Sequence, residues 1–155
     1  MITLERTVDA PPEEAWRLWT TREGIERSWP PEGYSCEVHE LDVRPGGEVR
    51  YTFTATGEAQ IEFMRAAGMP LATTARKRFT IVEAPKRLGY DSLVDFIPGM
   101  DPYWQSTTVE FEAEAEGDGT HVTMLMDPLH DEEWTQRLVA GRANELDNVE
   151  RVLRG

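Results

Sequence analysis

The segment Asp42-Val43-Arg44-Pro45-Gly46-Gly47 and the run Glu48-Val49-Arg50-Tyr51-Thr52-Phe53-Thr54-Ala55 behind it constrain this chain more than any other part. Pro45 fixes its own φ, and Gly46 and Gly47 tolerate φ > 0, so the pattern predicts a sharp reversal of the backbone. Beyond the turn, Val49, Tyr51, Phe53 and Ala55 alternate with Glu48, Arg50, Thr52 and Thr54. Successive side chains of a strand point to opposite faces, so this hairpin arm carries one large, aromatic face. Such a face needs a cover, and with Trp16 upstream it predicts a fold that holds a cavity.

The same period recurs along the chain. Residues 2–8 read as a first strand, residues 36–43 lead into the turn, and residues 76–83, 88–96 and 106–115 follow as strands. Val122, Met124 and Met126 mark the last strand. The inward set is Val49, Tyr51, Phe53, Phe79, Ile81, Val109, Phe111 and Met124, with Leu138 from the final helix. Glu110, Glu112, Glu114 and Glu116 share the opposite face of their strand, which must be solvated because like charges this close are costly to bury. Pro11 and Pro12 with Glu13 and Glu14 open a helix carrying Trp16 and Trp19, and residues 22–29 form a second short one stopped by Pro30-Pro31. Residues 58–67 change to helical spacing before Gly68 and Pro70 and predict a helix inserted between strands. Asp131 caps a long final helix over residues 131–153, striped by Trp134, Leu138, Gly141, Leu146, Val149 and Leu153. The class is α+β, a sheet needing cover on one face.

At 155 residues the chain suits one domain, able to bury about 70% of its unfolded surface. Cys36 is the only cysteine, so no intrachain disulfide forms, and the N-terminus lacks the basic and apolar regions of a signal peptide. No apolar run approaches the length of about 20 residues that spans a membrane. These features predict a reducing, cytoplasmic setting. A net charge of −13 argues against nucleic acid or an anionic membrane as partner. Lys77 and Lys86 are the only lysines.

The chain resembles the START-like superfamily known as SRPBCC and, within it, the homologues of the activator of ninety-kilodalton heat-shock-protein ATPase. The resemblance is carried by Asp9-Ala10-Pro11 with Glu14-Ala15-Trp16, by Trp29, and by Asp42-Val43-Arg44-Pro45-Gly46-Gly47. It continues through Ile81-Val82-Glu83-Ala84-Pro85-Lys86-Arg87-Leu88 and Gly119-Thr120-His121-Val122-Thr123. It implies one START-like domain over residues 1–155 with a helix-grip fold: a curved antiparallel sheet wrapped around a long C-terminal helix, with two short N-terminal helices. It also implies a hydrophobic cavity between sheet and helix. The inserted helix departs from the shortest members of the family.

Three functions are open at this point. The first is a small hydrophobic-ligand binding or carrier module, the second a co-chaperone-like module in contact with a chaperone, the third a cyclase, dehydratase or hydrolase-type enzyme using the same cavity. The absence of a catalytic set favours binding over catalysis. Aromatic rings and thioethers give flat or adaptable apolar contact, so the candidate ligand-binding residues are Tyr51, Phe53, Phe63, Met64, Phe79, Met100, Trp104, Phe111, Trp134 and Leu138. The segments 58–71 and 97–104 are expected to rim the cavity, with Trp104 and Trp134 at its mouth. The catalytic candidates are His130, Glu133 and Glu145. His130 and Glu133 also read as a helix start with favourable acidic charge. Arg142 and Glu145, near the apolar stripe of the last helix, supply either a buried polar anchor or, more simply, an exposed ion pair at i, i+3. His39, His121 and His130 are scattered, so no metal and no other cofactor is expected. The chain is expected to be a monomer or homodimer.

Overall fold

The computed structural model describes every residue from Met1 to Gly155. In chain order the elements are β1 (Ile2–Val8), α1 (Pro12–Thr20), α2 (Arg22–Ser28), β2 (Tyr34–Leu41), β3 (Glu48–Ala55), α3 (Glu58–Ala66), β4 (Ala72–Glu83), β5 (Arg87–Val94), β6 (Tyr103–Ala113), β7 (Thr120–Met126) and α4 (Glu132–Arg154). All seven strands form one curved antiparallel sheet in the order β1-β7-β6-β5-β4-β3-β2. β1 closes the sheet against β7, while β2 through β7 run as successive neighbours. The class is α+β, with the helix-grip arrangement that the resemblance implies.

The reversal before β3 forms as expected, but its two glycines act differently. Gly46 takes φ 86°, which only glycine adopts without strain. Gly47 is not left-handed; a Cβ there would run into the Asp42 carbonyl. The turn is then stitched to the sheet, with Gly46 N–H donating to Phe79 O and Phe79 N–H to Gly47 O, both at 2.8 Å.

The concave face holds the core. Val38, Val49, Phe79, Leu88, Tyr90, Val109, Phe111, Val122, Met124 and Met126 are buried against Ala15, Leu18 and Trp19 of α1, Ile25 of α2, and Leu146 and Val149 of α4. Full burial of an apolar side chain such as Leu146 contributes about 1.5–3 kcal/mol. α1 and α2 seal one end: Trp16 and Trp19 stack edge-on against Phe111 at 5.6 and 5.3 Å. α4 starts where Asp131 Oδ1 accepts the Trp134 N–H at 2.8 Å, and Asn148 Nδ2 donates to Pro30 O at 3.0 Å. Arg6 of β1 reaches Asp147 and Glu150 of α4.

Ile81 departs from expectation. The β4–β5 register slips between Phe79 and Ile81, and a bulge reverses the faces beyond it. Val82 therefore packs against the core and Ile81 lies over Gly89 instead, where a Cβ would meet its side chain.

Candidate functional site beneath the final helix

The concave face is not apolar throughout. Lys77 of β4 lies between the inward Ala75 and Phe79, pairs with Ser92 of β5, and Ser92 pairs with Gln105 of β6. All three are buried, so one polar row crosses three strands under α4. Lys77 Nζ donates to Ser92 Oγ at 2.9 Å. Gln105 Nε2 donates to the Ser106 and Asp127 carbonyls at 2.7 and 2.9 Å, and Thr107 Oγ1 donates to Gln105 Oε1 at 3.1 Å. Three aromatic rings surround the ammonium position: Tyr90 at 5.0 Å, Trp29 at 5.4 Å and Tyr51 at 5.9 Å from Nζ.

α4 supplies the facing groups. Arg142 Nη1 and Glu145 Oε2 stand 3.5 Å apart, with side-chain exposures of 19% and 5%; the i, i+3 pair is a largely shielded polar anchor rather than an exposed ion pair. Both Glu145 carboxylate oxygens, Arg142 Nε and the indole N–H of Trp29 are buried without a hydrogen-bond partner, while the Trp19 indole acts on the Tyr90 hydroxyl. Buried polar groups in proteins are overwhelmingly paired, so this concentration of orphans is unusual.

Burial drives the electrostatics. It pulls the Lys77 amine well below its usual range, Arg142 adds to this by repulsion, and Glu145 opposes both. Burial pushes the Tyr51 and Tyr90 hydroxyls up. Burial also opposes charge on Arg142, but Glu145, Tyr90 and Tyr51 outweigh it and hold that guanidinium above its ordinary value. Cys36, half-buried near Glu26, is pushed up to about 12, chiefly by desolvation, so it is a poor thiolate.

Two clefts flank this cluster. One, of about 180 Å³, is lined by Trp29, Pro31, Tyr51, Phe53, Gly141 and Arg142 together with Asn144 and Glu145. The other, of about 100 Å³, reaches Lys77, Ser92 and Gln105 and opens between Phe96, Leu129 and Leu138. Tyr51 and Arg142 belong to both walls. Joined by a swing of Arg142, they would approach the roughly 300 Å³ at which ordinary ligand sites begin.

Residues 9–153 match the family described as Activator of Hsp90 ATPase homolog 1-like protein. The chain belongs to this family. No curated protein matches the sequence. Among solved structures, a protein of Chromobacterium violaceum aligns with TM-score 0.75 at 23% identity, covering 99% of this chain and 96% of its own. The AHSA1 protein from Silicibacter pomeroyi gives 0.73 at 16%, with 99% and 96% covered. The AHSA1-like protein from Aeromonas hydrophila gives 0.66 at 20%, with 97% and 90% covered. At these identities the likeness establishes the shared fold.

Several residues singled out in the sequence of this AHSA1-like chain lie elsewhere. Trp104 is not at a cavity mouth: its neighbour Gln105 points inward, and its own ring lies on the outer face under Arg78 at 4.4 Å and Arg76 at 5.9 Å. Phe111 belongs to the core beneath α1, and Phe79 is buried in the core. The segments 58–71 and 97–104 do not line either cleft. Phe63 is 66% exposed and Met100 40%, while Met64 is buried outside the main core cluster. Tyr51, Phe53 and Leu138 line the clefts, and Trp134 packs on Phe96 at 5.7 Å beside the second opening.

The three catalytic candidates are not brought together. His130 Nδ1 bonds the Tyr103 hydroxyl at 2.8 Å, Glu133 pairs with Arg137 in solvent, and Glu145 lies three turns further along α4. No group of three or more His, Cys, Asp or Glu side chains stands close enough to hold a metal. Lys77, Tyr90 and Ser92 are not among the residues that the sequence points to, whereas Arg142 and Glu145 are, as a buried polar anchor. The one available signal for Lys77 was its place at an inward position of an alternating strand, between Ala75 and Phe79.

Proposed function

We propose that this chain is a binding module for a small amphipathic molecule held between β3–β5 and α4. Its apolar body lies against Trp29, Tyr51, Phe53 and Leu138, and its polar head meets Arg142 and Glu145. One observation carries this reading: the unpaired polar atoms of Glu145 and Arg142 stand in the wall of the larger cleft, and Arg142 borders the smaller one as well. Each unpaired buried polar group costs about 1–3 kcal/mol, and a bound molecule with complementary groups recovers it.

Gly141 supports the same reading. A glycine inside a helix costs about 1 kcal/mol against alanine, yet a Cβ here would meet nothing within 4 Å. Its missing side chain leaves the larger cleft open. The test is a fluorescence titration with anilinonaphthalenesulfonate, an aromatic probe with an anionic head, together with native mass spectrometry of freshly expressed protein for a co-purified molecule. Gly141→Leu, which fills the cleft from an open position, should weaken probe binding about tenfold or more (about 1.4 kcal/mol) with the fold intact. Unchanged affinity in that variant would refute the site.

A second reading is chaperone contact, which the family description suggests. It is favoured by the apolar side chains that the α3 region leaves in solvent, Phe63 at 66% and Met69 at 48% exposure. Stimulation of the ATPase of the ninety-kilodalton heat-shock protein, lost in Phe63→Ser, would support it; no stimulation would remove it.

A further inference from the structure

We propose that Lys77 is a buried amine nucleophile that captures small neutral aldehydes and ketones as a covalent imine. The inference rests on the ligand-binding reading above, because the carbonyl compound must enter the smaller of its two clefts, which shares Tyr51 and Arg142 with the larger. Four features support it. First, Lys77 is 2% exposed yet lines the cleft of about 100 Å³ that opens between Phe96, Leu129 and Leu138. Second, its Nζ is held at a fixed point by Ser92 Oγ at 2.9 Å, with no carboxylate in hydrogen-bond contact to neutralise it. Third, the groups acting on it are the walls of Trp29, Tyr51 and Tyr90 and, from α4, Arg142 and Glu145. Desolvation and a neighbouring cation are the two conditions that leave a lysine with a free electron pair near neutral pH. Fourth, Arg142 and Glu145 compensate each other at 3.5 Å, so with a neutral amine the site has no net charge to offer. This selects an uncharged carbonyl compound, and the size of the cleft selects a short one.

The step balances without a redox partner. The Nζ lone pair forms a C–N bond to the carbonyl carbon as the C=O π pair moves to oxygen, which takes up a proton while nitrogen gives one up. The carbinolamine then expels its hydroxyl as water as the C=N bond forms and nitrogen loses its second proton. One carbonyl compound and one amine give one imine and one water. Glu145, with both oxygens free of hydrogen bonds, is the carboxylate whose charge acts on Lys77.

The chain contains its own control, because Lys86 is the only other lysine and is exposed. The full chain is incubated near neutral pH with butanal and cyanoborohydride, which reduces any imine in place, and the adducts are mapped by peptide mass spectrometry. Lys77 should be labelled about tenfold more than Lys86, the preference should vanish in urea, and Lys86→Arg should leave the Lys77 adduct unchanged. Labelling confined to Lys86 and the Met1 amine, or shared equally between the two lysines, overturns the proposal. So does a preference that persists in urea. If the anilinonaphthalenesulfonate probe still binds when Lys77 is unlabelled, only the imine chemistry fails; if it does not bind either, the ligand-binding reading fails with it.

Discussion

Replacing Lys77 by methionine separates two descriptions of the buried amine: a cation caged by three rings, or a neutral group held uncharged by burial. Methionine has a similar length and no charge, so Lys77→Met keeps most of the packing against Trp29, Tyr51 and Tyr90. It loses the 2.9 Å bond to Ser92, worth about 1 kcal/mol, and leaves that hydroxyl unpaired. Against this, it removes the cost of burying an amine beside Arg142. The balance depends on pH, and its sign follows from the proton count. In the fold burial makes the amine lose its proton well below the ordinary lysine range, whereas in the unfolded chain it keeps it up to that range. Between the two, the unfolded state binds one more proton, so the stability of the wild type rises with pH and is lost as pH falls through that window.

The slope is about 1.4 kcal/mol per pH unit for one proton, and Lys77→Met abolishes it. Urea unfolding of both proteins at several pH values from neutral to about 9.5, below the range where the unfolded tyrosines ionise, measures the difference with other groups cancelling. The wild type should gain on the variant with each step upward, by up to that slope. Parallel curves would mean that burial does not perturb the amine. A wild type that loses ground as pH rises would mean that Glu145 and the aromatic rings hold the ammonium form, and the reasoning for a nucleophilic Lys77 would fall.

Further outcomes follow from the same geometry. Glu145→Gln leaves the Arg142 guanidinium buried without its countercharge and should lower stability by about 2–4 kcal/mol in denaturant titrations; because Glu145 opposes the depression of Lys77, the variant should also extend Lys77 labelling to lower pH. Trp104→Ala, on the outer face, should leave probe affinity unchanged and cost about 0.5–1 kcal/mol for the lost Arg78 stacking. Met124→Ala empties a fully buried site and should cost about 2–5 kcal/mol, read as a fall in melting temperature. Gly141→Ala should raise stability by about 1 kcal/mol, since the helix gains a better former and the new methyl meets nothing.

The fold was legible in the sequence because its signals are local and repeated. β1 runs over the residues its alternation marks, and α4 begins after its Asp131 cap. β4 begins four residues earlier than expected, at Ala72, because Ala72–Ala75 pair with Tyr51–Thr54 across the sheet, an edge-to-edge contact that composition does not announce. Ile81 was misplaced for a similar reason. A bulge adds one residue to a strand and inverts every face beyond it, and the sequence around Thr80 carries no glycine or proline to mark it.

The site was far less legible, and the cause is the physics that makes it a site. A sequence reading sends charges to the surface because burying them is costly, so Lys77 reads as solvated, an exposed ion pair is the simpler reading of Arg142 and Glu145, and the aromatic rings read as the pocket. In the fold the assignment is nearly reversed: Trp104, Phe63 and Met100 face outward, and the charged trio lies beneath α4 with Tyr51 and Tyr90. No local pattern encodes that trio, since Lys77 is separated from Arg142 by the hairpins of β5, β6 and β7. Three buried ionisable groups, with orphaned oxygens and a glycine opening the helix above them, are a standing cost that an apolar core of the same volume would avoid. On the binding reading proposed above, that cost is what a bound molecule with complementary groups would offset. Lys77 is therefore the position at which to look for what this member of the family does.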